Sequence, residues 1–568
     1  MTAAFLALAL VFGVFAVRLV QLQGLDSSRY ATMAASERLR EISLPSVRGP
    51  ILDTNGVPLA TTVDAVDVIV DQGQLGNPAA AALQLAGPLE RDPAELQAAM
   101  TGDDPYVPLQ RTVDGPVWTQ IRDMDIEGIY SEPSADRAYP AGTVAGSILG
   151  FTGSNGEQGG DDRTVGLSGL EASYEELLAG TAGSLSYERD SAGRAIPLAA
   201  QSRVDPEPGR GLRLSIDRDI QWYTEQALAA KVAEAEAESG TAIVLDPTTG
   251  AILALADVPV VDPGDPEASP EEDRGSRAIT DPYEPGSVQK ALTLAALVDA
   301  GVASPGDVFT VPDSIQRADR VIGDHTGHED WQITLSGILA KSSNVGTLLA
   351  AERLDKQTLR DYLVKFGYDQ APGLGLPGEI PGILPEDWSD LQRDTISFGQ
   401  GVATTVVHLA SAYGAIANGG TRMPPYLVES VVDADGTERP VPADEPVQVI
   451  SPEAASAVTT MMEGVVAPGG TASNVVVDGY RLAGKTGTAE RVDPECGCYR
   501  GYTATFAGFA PADDPRLVVV VSIQDPQKGR YGGQLGGPVF ADVMKFALPR
   551  LGVAPSGTAA PQVQVFAG

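Results

Sequence analysis

The chain changes its hydrophobic rhythm several times, and each change marks an element. Ala3 to Val17 is a nearly unbroken apolar run, interrupted at Arg18 and resumed at Leu19 and Val20. Such a run approaches the length of a membrane-crossing helix, and Arg18 can reach the interface, so residues 1–21 are expected to be a transmembrane anchor. From 22 to 210 short helix-like and strand-like windows are punctuated by Gly, Pro and Asp. The longest helical patterns there run from Asn77 to Met100 and from Leu167 to Ala179. After Pro208-Gly209 the pattern becomes more regular, with a strand over Leu212–Ile216, a helix over Arg218–Ser239 and a hairpin over Gly240–Ala256. Helical periodicity dominates from Val288 to Asn418. Strand signals return at Arg481–Ala489, Tyr502–Ala510 and Leu517–Ile523, with Pro511 to Pro515 as a turn. Residues 552–568, rich in Ala, Pro, Gly and Gln, are expected to be a flexible tail. The predicted architecture is α+β. It comprises an anchor (1–21), a mixed N-terminal domain (22–210), a larger domain of antiparallel sheet and helices (211–551) and the tail (552–568).

Charge narrows the partners. With 76 acidic against 39 basic side chains the formal charge is −37, so nothing is available to neutralise phosphates and nucleic acid is excluded as a simple partner. A length of 568 residues and 43% hydrophobic content suffice for two or three domains with real cores.

Three short segments carry the chemistry. Ser287-Val288-Gln289-Lys290, Ser342-Ser343-Asn344 and Lys485-Thr486-Gly487-Thr488 follow one another in that order. Together they form an S-x-x-K, S-x-N, K-T-G set suited to acyl transfer at a serine. Tyr283-Glu284-Pro285-Gly286 is turn material ahead of a helix over Val288–Ala300, which puts Ser287 at a helix N-terminus among unpaired first-turn amides. Lys290 follows one helical turn later, within hydrogen-bond reach of Ser287. A serine hydroxyl needs a base, and lysine serves only when neutral. Burial and a second cation, for which Lys485 is the candidate, would both lower its pKa. Alone, Lys290 would read as a solvated lysine beside a capping serine; the other two motifs reverse that reading. The K-T-G segment reads as an edge strand able to bind an extended peptide, with Thr486 and Thr488 near its carboxylate end.

On these residues the chain resembles the class B penicillin-binding proteins, membrane-anchored peptidoglycan transpeptidases. Gly240 to Pro247 with Gly250 resembles the family's opening strand and turn, and Phe398-Gly399-Gln400-Gly401 its glycine-rich stretch. Arg48 to Asp53 with Asn55-Gly56, Arg137 to Gly142, and Gly169-Leu170-Glu171 resemble its non-catalytic pedestal. The resemblance implies a penicillin-binding-protein/serine β-lactamase-like domain on a dimerisation-type pedestal. It implies Ser287 as the acylated nucleophile, Lys290 as its base and Ser342 as proton carrier to the leaving group. Asn344 and Lys485 would position substrate and relay charge, and Thr486, Gly487 and Thr488 would bind it. The backbone N–H groups of Ser287 and Thr488 would form the oxyanion hole. The implied partners are stem peptides, β-lactams, the membrane, a membrane glycan polymerase and division proteins. Tyr283 to Ser287 and Asp313-Ser314-Ile315-Gln316 resemble the septal branch, in particular that of actinobacteria. An elongation role, a β-lactam sensor and a catalytically silent structural component are the alternatives.

No cofactor is expected, since serine–lysine chemistry needs none. His325 and His328 lie in a polar loop that superficially suggests metal ligands, but no metal site is expected there. Cys496 and Cys498 could close a C-x-C disulfide in an exported protein or remain as two thiols.

Overall fold

A computed structural model describes residues 2–21, 39–154, 164–188, 201–493 and 496–567. The chain divides into two compact units. The first takes residues 1–49, 62–137 and 179–209, and the second takes 50–61, 138–178 and 210–568. The stretch 22–210 is thus shared between the units. Its segments 50–61 and 138–178 put Ile51, Leu59, Ile148, Leu149 and Leu170 into the same core as the larger domain.

The first unit holds an antiparallel sheet in the order Leu39–Leu44, Gly183–Glu188, Gln201–Val204. A smaller core of Val68, Leu85, Leu96, Met100 and Ile121 lies under three short helices, Pro78–Leu85, Pro93–Ala99 and Gly115–Arg122. The single helix expected over 77–100 is therefore two. Pro93 lacks the N–H that would continue the first, and Asp92 caps the second by accepting from Ala94 and Glu95. The N-terminal helix, Thr2–Val20, has 19 residues. At about 1.5 Å per residue it reaches ~28 Å, just under the ~30 Å of a bilayer core. Among the described residues no helix is long and apolar enough to cross a membrane.

The second unit is built on a five-stranded antiparallel sheet in the order Ile252–Val258, Ser239–Leu245, Leu517–Gln524, Cys498–Ala510, Ala483–Asp493. Every residue of Ser239–Leu245 is buried, so both faces are covered. Helices Arg218–Ala235 and Gly532–Arg550 pack on the sheet and on each other, with Tyr223 stacked on Phe546 at 4.3 Å. Helix Val406–Ala417, buried along its whole length, packs on the central strands. The K-T-G strand, Ala483–Asp493, is the sheet's edge, as its sequence predicts.

Two expectations fail in this unit. Between 308 and 334, within a stretch expected to be mainly helical apart from the polar loop of His325 and His328, four short strands pair as Val308–Val311 with Trp331–Thr334 and Ser314–Arg317 with Arg320–Gly323. Windows of four residues are too short for periodicity to register. Residues 552–567 are no flexible tail. Val553 is buried, Ser556 donates to Asp513 at 2.6 Å, and Thr334 and Ala567 donate backbone bonds to Val565 and Gln332 at 3.0 and 2.8 Å. Composition hid the four apolar anchors of this strap, Val553, Val563, Val565 and Phe566. Cys496 and Cys498 are joined by a disulfide in the turn after the K-T-G strand.

The second unit also holds a buried acidic pair. Glu225 accepts from the Ala145 amide and Gln221 at 2.8 and 2.7 Å. Asp257 accepts from Ser147 and the Ala278 amide at 2.7 and 2.9 Å. Burial raises both carboxyls, Glu225 to about 7 and Asp257 to about 6. An acid raised on folding keeps its proton in the folded chain where the unfolded chain has lost it. Its contribution is therefore complete below about pH 4 and is lost as pH rises through 6 to 7. The thermal midpoint should fall between pH 5 and 8, and Glu225→Gln should shrink that fall. An equal slope in the variant would show that Glu225 does not carry the effect.

Candidate active site

Ser287 lies in the 3-10 turn Gly286–Val288 that leads directly into helix Gln289–Asp299. The approach is fixed from behind. Tyr283 and Thr404 exchange backbone bonds at 2.9 Å, and the Gly286 amide donates to the Gly399 carbonyl at 2.9 Å. Gly399 has φ +90°, and a Cβ there would lie 2.1 Å from the Gly286 carbonyl oxygen. Only glycine fits, because any side chain would push the turn that carries the serine. The Phe398 to Gly401 stretch thus supports the Ser287 turn from the backbone side.

The S-S-N segment sits where one helix ends and the next begins. Ser342 closes Leu335–Lys341 in the left-handed region, with φ +60°. A non-glycine residue adopts that backbone only when its surroundings enforce it, and such positions cluster at functional sites. Ser343 caps Asn344–Ala351 by accepting from the Gly346 amide at 2.8 Å. Its own hydroxyl donates to Asp324 at 2.6 Å. Asn344 donates to the Gly323 carbonyl at 3.1 Å and presents Oδ1 inward.

Both lysines converge on this turn. Lys290 Nζ donates to the Ser342 carbonyl at 2.6 Å and to Asn344 Oδ1 at 2.7 Å, and lies 3.3 Å from Ser342 Oγ. Lys485 Nζ lies 2.8 Å from the same Oγ and donates to the Thr486 carbonyl at 3.0 Å. Both lysines are 0% exposed. Burial pushes the Lys290 amine down to about 7, against the opposing pull of Asp324. Burial, and then the charge of Lys290, push Lys485 well below the ordinary lysine range. Two ammonium groups sharing one hydroxyl in a dry site cannot both stay charged at neutral pH, so one amine can accept a proton.

Among the described residues the Ser287 hydroxyl makes no hydrogen bond, so the expected direct contact with Lys290 is absent. The amine is turned to the S-S-N turn instead, where a carbonyl and an amide oxygen offer better acceptors than a hydroxyl. In the K-T-G strand, Thr486 shares a bond with Thr471 at 3.0 Å, Thr488 accepts from the Gly532 amide at 3.4 Å, and a Cβ on Gly487 would come within 3.0 Å of the Pro285 carbonyl. The close approach of Gly487 brings Thr488 beside the Ser287 turn: the Thr488 carbonyl lies 3.4 Å from where a Gly286 Cβ would be. Asp324, His328, Thr471 and Gly399 complete the neighbourhood. No spacing rule in the sequence singles out the first three.

The chain is similar to known proteins over nearly its whole length. The penicillin-binding-protein transpeptidase domain family matches residues 240–545, and the penicillin-binding-protein dimerisation domain family matches 43–214. Penicillin-binding protein PbpB of Mycolicibacterium smegmatis is 34% identical over 96% of this chain and 89% of its own length. Peptidoglycan D,D-transpeptidase FtsI of Escherichia coli is 32% identical over 97% and 91%. Among solved structures, penicillin-binding protein 3 of Mycobacterium tuberculosis in complex with aztreonam superposes with a TM-score of 0.71 at 29% identity, covering 93% of this chain and all of that one. With both domains in order and near full-length similarity, the chain belongs to the penicillin-binding proteins that carry a dimerisation domain ahead of a transpeptidase domain.

Proposed function

We propose that the chain is a peptidoglycan D,D-transpeptidase that cross-links stem peptides through a Ser287 acyl-enzyme. The observation that carries this reading is the pair of solvent-excluded lysines meeting on the Ser342 hydroxyl, one of them three residues after Ser287. Ser287 Oγ attacks the penultimate D-alanine carbonyl carbon while its proton passes to neutral Lys290. The oxyanion is met by the N–H groups of Ser287 and Thr488. The tetrahedral adduct collapses, the C–N bond breaks, and the departing D-alanine amine takes its proton through Ser342. Lys485 and the Thr486 and Thr488 hydroxyls hold the peptide's carboxylate, and Asn344 holds the donor chain along the edge strand. An amine from a second stem then attacks the ester, gives up a proton by the reverse route and releases Ser287. A β-lactam acylates the same oxygen, but its amine stays tethered to the acyl group and cannot leave.

The cellular reading is septal. It rests on the resemblance at Tyr283 to Ser287 and Asp313 to Gln316 and on the similarity to PbpB and FtsI. Depletion should give filaments or branches without septa; swelling or rounding would favour the elongation alternative. The helix Thr2–Val20, with Phe5, Leu6, Leu10, Phe12 and Phe15 all exposed, offers lipid an apolar surface and so supports a membrane location; a single pass with the catalytic domain outside the cytoplasm is the arrangement this reading takes. A membrane glycan polymerase and division proteins are the partners this placement implies.

The test is product analysis of the purified protein with a stem-peptide thioester and a D-amino acid acceptor. Formation of the acceptor-linked product, absent from Ser287→Ala, is expected. Hydrolysis alone would make the protein a carboxypeptidase, and neither product would favour a structural role.

A further inference from the structure

The S-S-N turn is gripped from its far side by a loop that has no place in the mechanism above. Asp324 follows strand Arg320–Gly323, and its side chain is 3% exposed. One oxygen accepts from the Val345 amide at 3.0 Å, in the first turn of the helix that carries Asn344. The other accepts from Ser343 at 2.6 Å and lies 3.0 Å from His328 Nε2. The second ring nitrogen of His328, Nδ1, lies 2.6 Å from the Glu329 carbonyl oxygen. Both nitrogens therefore face acceptors, and only the doubly protonated ring satisfies both. Burial pulls the His328 pKa down, but these two partners outweigh it and raise it.

The ring itself is clamped. It lies flat on Trp331 at 3.5 Å with 7° between planes, and Trp331 meets Phe566 of the C-terminal strap edge-on at 5.9 Å. The strap is tied in turn to strand Trp331–Thr334 through Val565 and Ala567. A continuous set of contacts thus runs from the strap through Trp331, His328 and Asp324 to Ser343 and Val345, on either side of the Asn344 that accepts from Lys290.

We propose that Asp324 and His328 are positioning residues for acyl transfer, a buried ion pair that locks the S-S-N turn and sets the net charge felt by Lys290. The inference rests on Lys290 being the base. The charged groups facing Lys290 are Lys485 from the K-T-G strand and Asp324 from this loop. Those facing His328 are Asp324 and Asp313, whose carboxylate also accepts from the His328 amide at 3.1 Å.

The two partners make opposite predictions. Asp324→Asn keeps the shape and removes a negative charge, so Lys290 gives up its proton more readily and the rising limb of the acylation rate moves to lower pH. His328→Gln leaves the carboxylate uncompensated, so Lys290 holds its proton longer and the limb moves to higher pH. Each displacement should be about half a pH unit or more at the effective dielectric of a partly polar site. The experiment measures acylation by a fluorescent penicillin from pH 5 to 10 for wild type, Ser287→Ala, Asp324→Asn and His328→Gln, with circular dichroism of each. If one variant fails to fold, the direction of the other decides. Limbs unmoved, or moved the same way, overturn the inference while labelling lost in Ser287→Ala leaves the catalytic reading intact. Folded wild type that takes no label overturns the reading beneath it.

Discussion

Ser287→Ala is expected to abolish covalent labelling by penicillins and all transpeptidation, while leaving the fold and the thermal midpoint almost unchanged. The chemical half follows because no other hydroxyl can replace this one. Ser342 is committed to the two lysine amines, and Thr486 is shared with Thr471. The structural half follows because the Ser287 hydroxyl makes no hydrogen bond among the described residues, and its turn is held by backbone contacts to Gly399 and Thr404. Losing one unbonded oxygen should change stability by no more than about 0.5 kcal/mol. Intact-mass measurement after penicillin treatment, beside a melting curve, reads both halves. A penicillin adduct on the alanine variant would remove Ser287 from the role assigned to it.

Lys290→Met is expected to slow acylation by about a hundred- to ten-thousand-fold, the range a positioned general base supplies. Methionine matches the length and apolar stem of the lysine in a site that is fully buried, so the helix should keep its packing. The substitution also removes a polar amine from a dry site, which offsets part of the cost of the bonds lost at Ser342 and Asn344. The residual rate should no longer rise near neutral pH, because the group that titrates there is gone. A variant that acylates as fast as wild type would show that another group takes the serine proton, with Lys485 the first to examine.

The three segments that meet at the candidate site stood out in the sequence because acyl-transfer chemistry imposes residue types at short spacings. A nucleophile and its base must share a helix face, and the K-T-G strand needs glycine where Gly487 passes Pro285. The strands themselves were legible for a similar reason, since long runs such as Leu517–Gln524 have an unmistakable character. What stayed hidden depends on distance along the chain. Asp324 reaches the S-S-N turn from 19 residues away, and the strap reaches Thr334 from 231 residues away. The clamp on His328 has no local signature, because stacking on Trp331 and an acceptor at each ring nitrogen are settled only by folding. The sharing of segments 50–61 and 138–178 with the second unit was equally invisible, since buried residues such as Ile51 and Leu149 look the same whichever core receives them. The direct bond expected between Ser287 and Lys290 failed on a finer scale: helix spacing places the amine near the serine but does not choose among the acceptors around it.

Proton transfer from Ser287 requires a lysine made neutral by burial. The most direct test is the rate of Ser287 acylation by a penicillin in the wild-type protein, followed from pH 6 to 10. A rate that climbs through a limb centred near pH 7, where burial places Lys290, is the predicted result. A flat profile across that range would contradict it, because a base that never titrates there cannot be this amine.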